Sequence, residues 1–223
     1  MTIPLFKSHF SIGKSILTLS PPSATPDPEK PVSIFEIARD HDLSKVVVVE
    51  DSFMGFLEGR KNAAQLGIQF IFGLRFDVCQ NVSQIDDSSL KECSHKVIVL
   101  PKNSRGCISL NDIYTAAHTE HSGWLDLGLL AELWDDDNLL LAIPFYDSFI
   151  FKNLTSFNAC IPNFSFTSPV FFIEENGLPT DGMVKAAVER YCNSHEYETE
   201  KAQSIYYKDK SDFDAYLTYK LIC

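Results

Sequence analysis

Short apolar runs alternate with amphipathic stretches along most of this chain. Lys45–Glu50 holds four consecutive valines, apolar on both faces, as a strand buried inside a parallel sheet requires. Gln69–Phe76, His95–Leu100, Leu139–Ile143 and Val170–Glu174 are short runs of the same kind, and Ile3–Lys7 and Ala202–Tyr207 complete seven predicted strands. Helical spacing is found between them. Val32–His41 carries Ile34, Ile37 and Ala38 on one face with Ser33 placed to cap its start, and Phe53–Leu66 is closed by Gly67. Further helices are predicted at Ser104–His118, Leu127–Trp134, Asp181–Asn193 and Ser211–Ile222, with Thr180 and Ser211 as N-caps and Asp214 completing a capping box with Ser211.

Strands alternating with helices that return the chain to a parallel neighbour predict an α/β fold. Seven strands suit a barrel-like sheet better than an open nucleotide-binding one, and no glycine-rich phosphate loop argues otherwise. Residues 20–31 hold five prolines, which excludes a helix interior or a central strand and predicts an exposed loop. That loop lies too near the N-terminus to separate two domains, so 1–223 is read as one domain.

Composition narrows the function classes. Nineteen Lys and Arg against thirty Asp and Glu give a formal net charge of −11, which repels a phosphate backbone and argues against general nucleic-acid binding. The acidic surface serves solubility, or else meets a basic partner or mimics DNA. No run reaches membrane-span length, the longest being Val46–Val49 and Phe145–Phe151, and the N-terminus does not read as a signal peptide, so a cytoplasmic location is expected. The six cysteines (79, 93, 107, 160, 192 and 223) are widely spaced without a Cys-x-x-Cys pair, and free thiols are expected.

Chemistry in parallel α/β barrels sits just beyond the C-terminal ends of the strands. Three such points are legible: Lys7-Ser8-His9, Glu50-Asp51-Ser52-Phe53-Met54-Gly55, and Gly73-Leu74-Arg75. Two further segments have a recognisable form, His95-Lys96-Val97-Ile98-Val99-Leu100-Pro101-Lys102-Asn103-Ser104-Arg105-Gly106 and Ser211-Asp212-Phe213-Asp214-Ala215-Tyr216. In this order the five resemble the motifs of the PHP domain that opens bacterial C-family (polymerase III alpha type) DNA polymerases. Those motifs are His-x-His, a strand ending Thr-Asp-His, a Gly-x-Glu strand, a strand and turn with Lys-Asn-x-x-Gly, and a last His-bearing segment. The match is weakest over 124–169.

The resemblance implies a distorted (β/α)7 TIM-like barrel of the PHP type, and a His and carboxylate metal cluster at the listed strand ends in active members. Carried over position by position, that cluster is broken. Lys7, Ser52, Arg75 and Tyr216 stand where ligands are expected, and only His9 and Asp51 survive. Two replacements are cations, which repel a divalent metal, and two ligands are fewer than a zinc site needs. No metal, no cofactor and no catalysis by this chain are therefore expected. An internal charge network of Lys7, Glu50, Asp51 and Arg75 is expected instead, all four at the C-terminal ends of successive parallel strands. Glu50 and Asp51 have a plainer reading as helix-capping carboxylates.

The resemblance implies a non-catalytic PHP domain, a structural and partner-docking module of a C-family polymerase or of another replication protein. The chain ends inside a predicted helix at Tyr219–Cys223, which suggests an excised domain, and the departure from the motifs fits a viral replication protein. Two alternatives stay open. One is a phosphoesterase with a rearranged metal site using His9, Asp51, His95 and His118. The other is an acidic viral decoy for a basic host protein. His118 with His121, and Asp135-Asp136-Asp137, are lesser metal candidates whose plainer readings are a solvated helix end and a turn.

Overall fold

A computed structural model describes residues 2–23, 30–82, 94–156 and 160–223. The chain divides into two compact units, Ile3–Gly73 with Gln203–Cys223, and Met1–Thr2 with Leu74–Ala202.

In the first unit, β1 (Ile3–Phe6) and β2 (Lys45–Glu50) are parallel, with Leu5 opposite Val47 and Phe6 opposite Val48. All four valines of β2 are buried, as a strand apolar on both faces should be. Helix α1 (Ile34–Asp40) begins where Ser33 predicts, its Oγ accepting the Phe35 N–H at 3.1 Å. Helix α2 (Phe56–Leu66) starts three residues later than expected, because Gly55 turns the chain at φ 82°. A Cβ there would lie 2.3 Å from the Phe10 ring, so backbone angle and close packing both require glycine. Gly67 closes α2 at φ 68°. The predicted helix at Ser211–Ile222 is a 3-10 turn, Lys210–Asp212, followed by a helix, Phe213–Ile222. The capping box there joins Asp209 and Asp212, not Ser211 and Asp214.

The second unit contains β4 (His95–Pro101), α3 (Ser104–Glu120), β5 (Trp124–Asp126) and α4 (Leu127–Glu132). It continues with β6 (Leu139–Ile143), α5 (Phe149–Thr155), β7 (Val170–Ile173) and α6 (Asp181–His195). Counting α1 and α2 in the first unit, the Phe213–Ile222 helix is α7. Two strands run from one unit into the other, β3 (Gln69–Cys79) and β8 (Glu198–Ile205). The apolar pattern does not predict strand β5 or helix α5, and α5 takes up the last three residues of the Phe145–Phe151 run. Thr180 precedes α6 without a capping hydrogen bond, contrary to expectation. The aromatic core of this unit gathers Phe149, Phe164, Phe171, Tyr191 and Tyr197.

Strand neighbours follow the order β2-β1-β8-β7-β6-β4-β3-β5, with β2 also pairing β3. The α/β class is as expected; the all-parallel (β/α)7 arrangement is not. β6, β7 and β8 are parallel neighbours, but β4 is antiparallel to both β3 and β6. A run apolar on both faces reads the same in either direction, so the pattern that located β4 carried no information about its sense.

Among the described residues no helix is long and apolar enough to cross a membrane. Cys79, Cys107, Cys160, Cys192 and Cys223 are free thiols, and Cys93 lies outside the described residues, as do 24–29 of the proline-rich loop.

Candidate functional site

The in-register pairing of β1 and β2 delivers Lys7-Ser8 and Glu50-Asp51 to one strand end together. Lys7 is only 4% exposed, and its Nζ donates to Asp51 Oδ1 at 2.9 Å and to Ser11 Oγ at 3.4 Å. Glu50 is buried, accepting from the Ser8 backbone N–H at 2.7 Å and from the Ser11 hydroxyl. Ser11 Oγ also accepts the Asp51 N–H at 3.1 Å. One hydroxyl thus joins the ammonium, the buried carboxylate and the strand-end backbone. The N-cap residue of α2 is Gly55, which has no side chain to cap with.

Burial pushes the Glu50 carboxyl above its ordinary range, although Ser11, Ser8 and the Lys7 charge all oppose that shift. Asp51 stays half-exposed and holds the Lys7 ammonium. One ammonium thus faces two carboxylates, with the Ser11 hydroxyl hydrogen-bonded to the buried one.

The remaining expected positions make the following contacts. His9 places Nδ1 3.3 Å from the Leu17 carbonyl and its ring against Phe10. It lines a groove of about 590 Å³ with Asp212 and Tyr219. Ser52 accepts the Met54 N–H at 3.3 Å within the turn before α2. Tyr216 stacks with Tyr206 and packs against Tyr207 and Phe213, where burial raises its hydroxyl pKa. Arg75 belongs to the other unit and is not at a strand end, since β3 continues to Cys79. It is opposite Ile98 of antiparallel β4, with its guanidinium 4.0 Å from Asp147.

His95 is 1% exposed, with Nδ1 3.7 Å from Cys160 Sγ and its ring edge-on to Phe149. Burial, reinforced by the Lys152 charge, depresses its pKa to about 4. The His118 ring stacks on Tyr114, and His121 ends α3 beside Glu120. Asp135 binds the Asn138 side chain, and Asp136 accepts from Thr167 and Trp134, so this acidic run is a turn. Among the described residues no group of three or more His, Cys, Asp or Glu is placed to hold a metal ion.

Two features escaped the sequence reading. The Ser8–Ser11 turn is the hub of the cluster, and the only signal for it was two serines after a strand. In the second unit, Asp181 accepts from Tyr146 Oη at 2.8 Å and from the N–H groups of Asn176 and Leu178. Burial opposes ionisation of Asp181, but these donors outweigh it and its pKa is lowered, while Tyr146 is pushed up to about 12. No family model and no curated protein matches this chain.

Proposed function

We propose that this chain is a PHP-like domain without catalytic activity, a structural and partner-docking module of a C-family replicative DNA polymerase or of a viral replication protein beside one. The buried ammonium of Lys7, 2.9 Å from Asp51, carries this reading. It takes the place where the resembled motif has its first metal-ligating His. An ammonium balances the carboxylate charge and donates hydrogen bonds, but it cannot generate a hydroxide from bound water as a metal does. The order of the five motifs supports the PHP assignment, and with it the finer reading of the sheet as a distorted barrel of that type. The same reading places the protein in the cytoplasm, with the rest of a polymerase as its partner.

Elemental analysis after purification without added metal, with phosphatase and exonuclease assays in Mn²⁺, Zn²⁺ and Mg²⁺, tests the inactive site. Substoichiometric metal and no release of phosphate or nucleotide are expected. Two or three metals per chain with metal-dependent turnover would establish a phosphoesterase instead. Binding to a purified C-family polymerase catalytic region tests the docking role, and its absence overturns that role.

A further inference from the structure

A thiol–imidazole pair is buried in the second unit, at the start of β4. His95 is the first residue of that strand, opposite Val78 of β3. Cys160 follows α5 in a stretch, 160–169, that forms neither helix nor strand. Asn153 holds its backbone, donating to the Cys160 carbonyl at 2.7 Å and accepting the Cys160 N–H at 3.1 Å. From there Sγ reaches to 3.7 Å from His95 Nδ1, while the next residue, Ile161, is exposed.

A buried histidine that serves packing alone has its ring nitrogens hydrogen-bonded. His95 does not, for its buried Nε2 has no hydrogen-bond partner among the described residues. What its ring does meet is the Cys160 sulfur at Nδ1 and the Phe149 ring, which offers only carbon. Burial keeps the imidazole neutral at pH 7, so Nδ1 is able to accept the thiol proton. The other two buried thiols of this unit are in different surroundings. Cys79 donates to the Leu125 carbonyl at 3.3 Å, and burial pushes both Cys79 and Cys192 up to about 11. Cys79 and Cys192 are 0% and 1% exposed, against 6% for Cys160. A thiol reacts as its thiolate, so a neighbouring base and a route to solvent single out Cys160 among the three.

We propose that Cys160 is a site of reversible oxidation by hydrogen peroxide, with His95 relaying the proton. The sulfur attacks one peroxide oxygen as the thiol proton passes to Nδ1, and the O–O bond breaks. The departing hydroxide takes that proton from Nδ1 and leaves as water. The thiol is oxidised to a sulfenic acid, which a thiol can reverse, and the peroxide is reduced. The small opening at Cys160 fits an oxidant little larger than water and excludes bulky thiol reagents. The proposal does not rest on the reading of the Lys7 cluster, and it needs neither a metal nor a polymerase.

Site-resolved mass spectrometry of the intact chain tests it. The protein is exposed to limiting hydrogen peroxide at pH 7, the peroxide is destroyed with catalase, and the chain is then unfolded in urea with dimedone, which tags sulfenic acids. Cys160 should be tagged at least tenfold faster than Cys79 and Cys192. His95→Gln should slow it at least tenfold and leave the half-exposed Cys107 unchanged. Cys79 and Cys192 report on folding in that variant, since both become tagged if the core opens, and the rate ratio in the unaltered chain then decides alone. N-ethylmaleimide, which is bulky, should label Cys107 and Cys223 and spare Cys160 over the same interval. Tagging of Cys160 no faster than Cys79 and Cys192 overturns the proposal, as does an unchanged rate in folded His95→Gln. Maleimide labelling of Cys160 as fast as Cys107 overturns it too, because opening of the chain, and not a small oxidant, would then be what reaches the thiol.

Discussion

Ser11 holds the strand-end cluster together because its hydroxyl serves three partners at once. It donates to Glu50 and accepts from Lys7 and from the Asp51 N–H. A buried ion pair adds little net stability, since desolvation offsets the attraction, but removing one partner leaves a buried charge uncompensated. Lys7→Met keeps the volume and removes the ammonium, so it should lower the unfolding free energy by about 1–4 kcal/mol in urea titrations. A change below about 0.5 kcal/mol would mean that water reaches the pocket. His95 gives a second test at this scale. Its pKa falls from 6.5 to about 4 on folding, so the unfolded chain binds the extra proton first. The stability this contributes is complete above pH 6.5 and is lost as pH falls toward 4, roughly 3 kcal/mol in all. Glu50 acts in the opposite sense, its raised pKa removing stability as pH rises through its own titration. His95→Gln should flatten the acid side of the stability profile, and an unchanged slope there would refute the assignment.

Helix boundaries turn on whether a cap is made, which residue type alone does not decide. Ser33 and Thr180 are both good N-cap residues by composition. Ser33 has extended backbone, φ −86° and ψ 141°, and its hydroxyl accepts the Phe35 N–H. Thr180 has helical backbone, φ −84° and ψ −17°, which leaves its side chain without a capping bond. Ser33→Ala should therefore cost about 1 kcal/mol, whereas Thr180→Ala should change thermal stability within about 0.5 kcal/mol. Equal losses would count against the distinction. Gly55→Ala should be worse than either, about 1–3 kcal/mol, since it combines positive φ with a Cβ driven into Phe10.

At the scale of the whole molecule the charge is the dominant fact. A net charge of −11 opposes association with any polyanion, since duplex binding is sustained by roughly 6–10 cationic contacts to phosphate. In gel-shift titrations at about 150 mM salt, micromolar protein should leave a duplex unshifted. A shift that is lost as salt is raised would show that cationic side chains reach the phosphates in spite of the net charge.

The amino-acid sequence by itself determined where most elements lie. The four valines of β2, the Ser33 cap and the Gly67 stop act within a few residues, through burial period and backbone geometry, and each is where the pattern put it. It also placed Lys7 and Asp51 at the ends of β1 and β2. Only the tertiary structure decided strand direction, because β4 is equally buried whichever way it runs. It decided as well that Arg75 lies within β3 beside Asp147, a residue no motif singled out. The role of Ser11 belongs to the same class, for its partners are Lys7, Glu50 and Asp51, and two of them are about forty residues away. Local preferences are set by neighbours in the chain, whereas pairing sense and charge partners are set by which distant segments share one buried volume, and that is settled only when the elements pack.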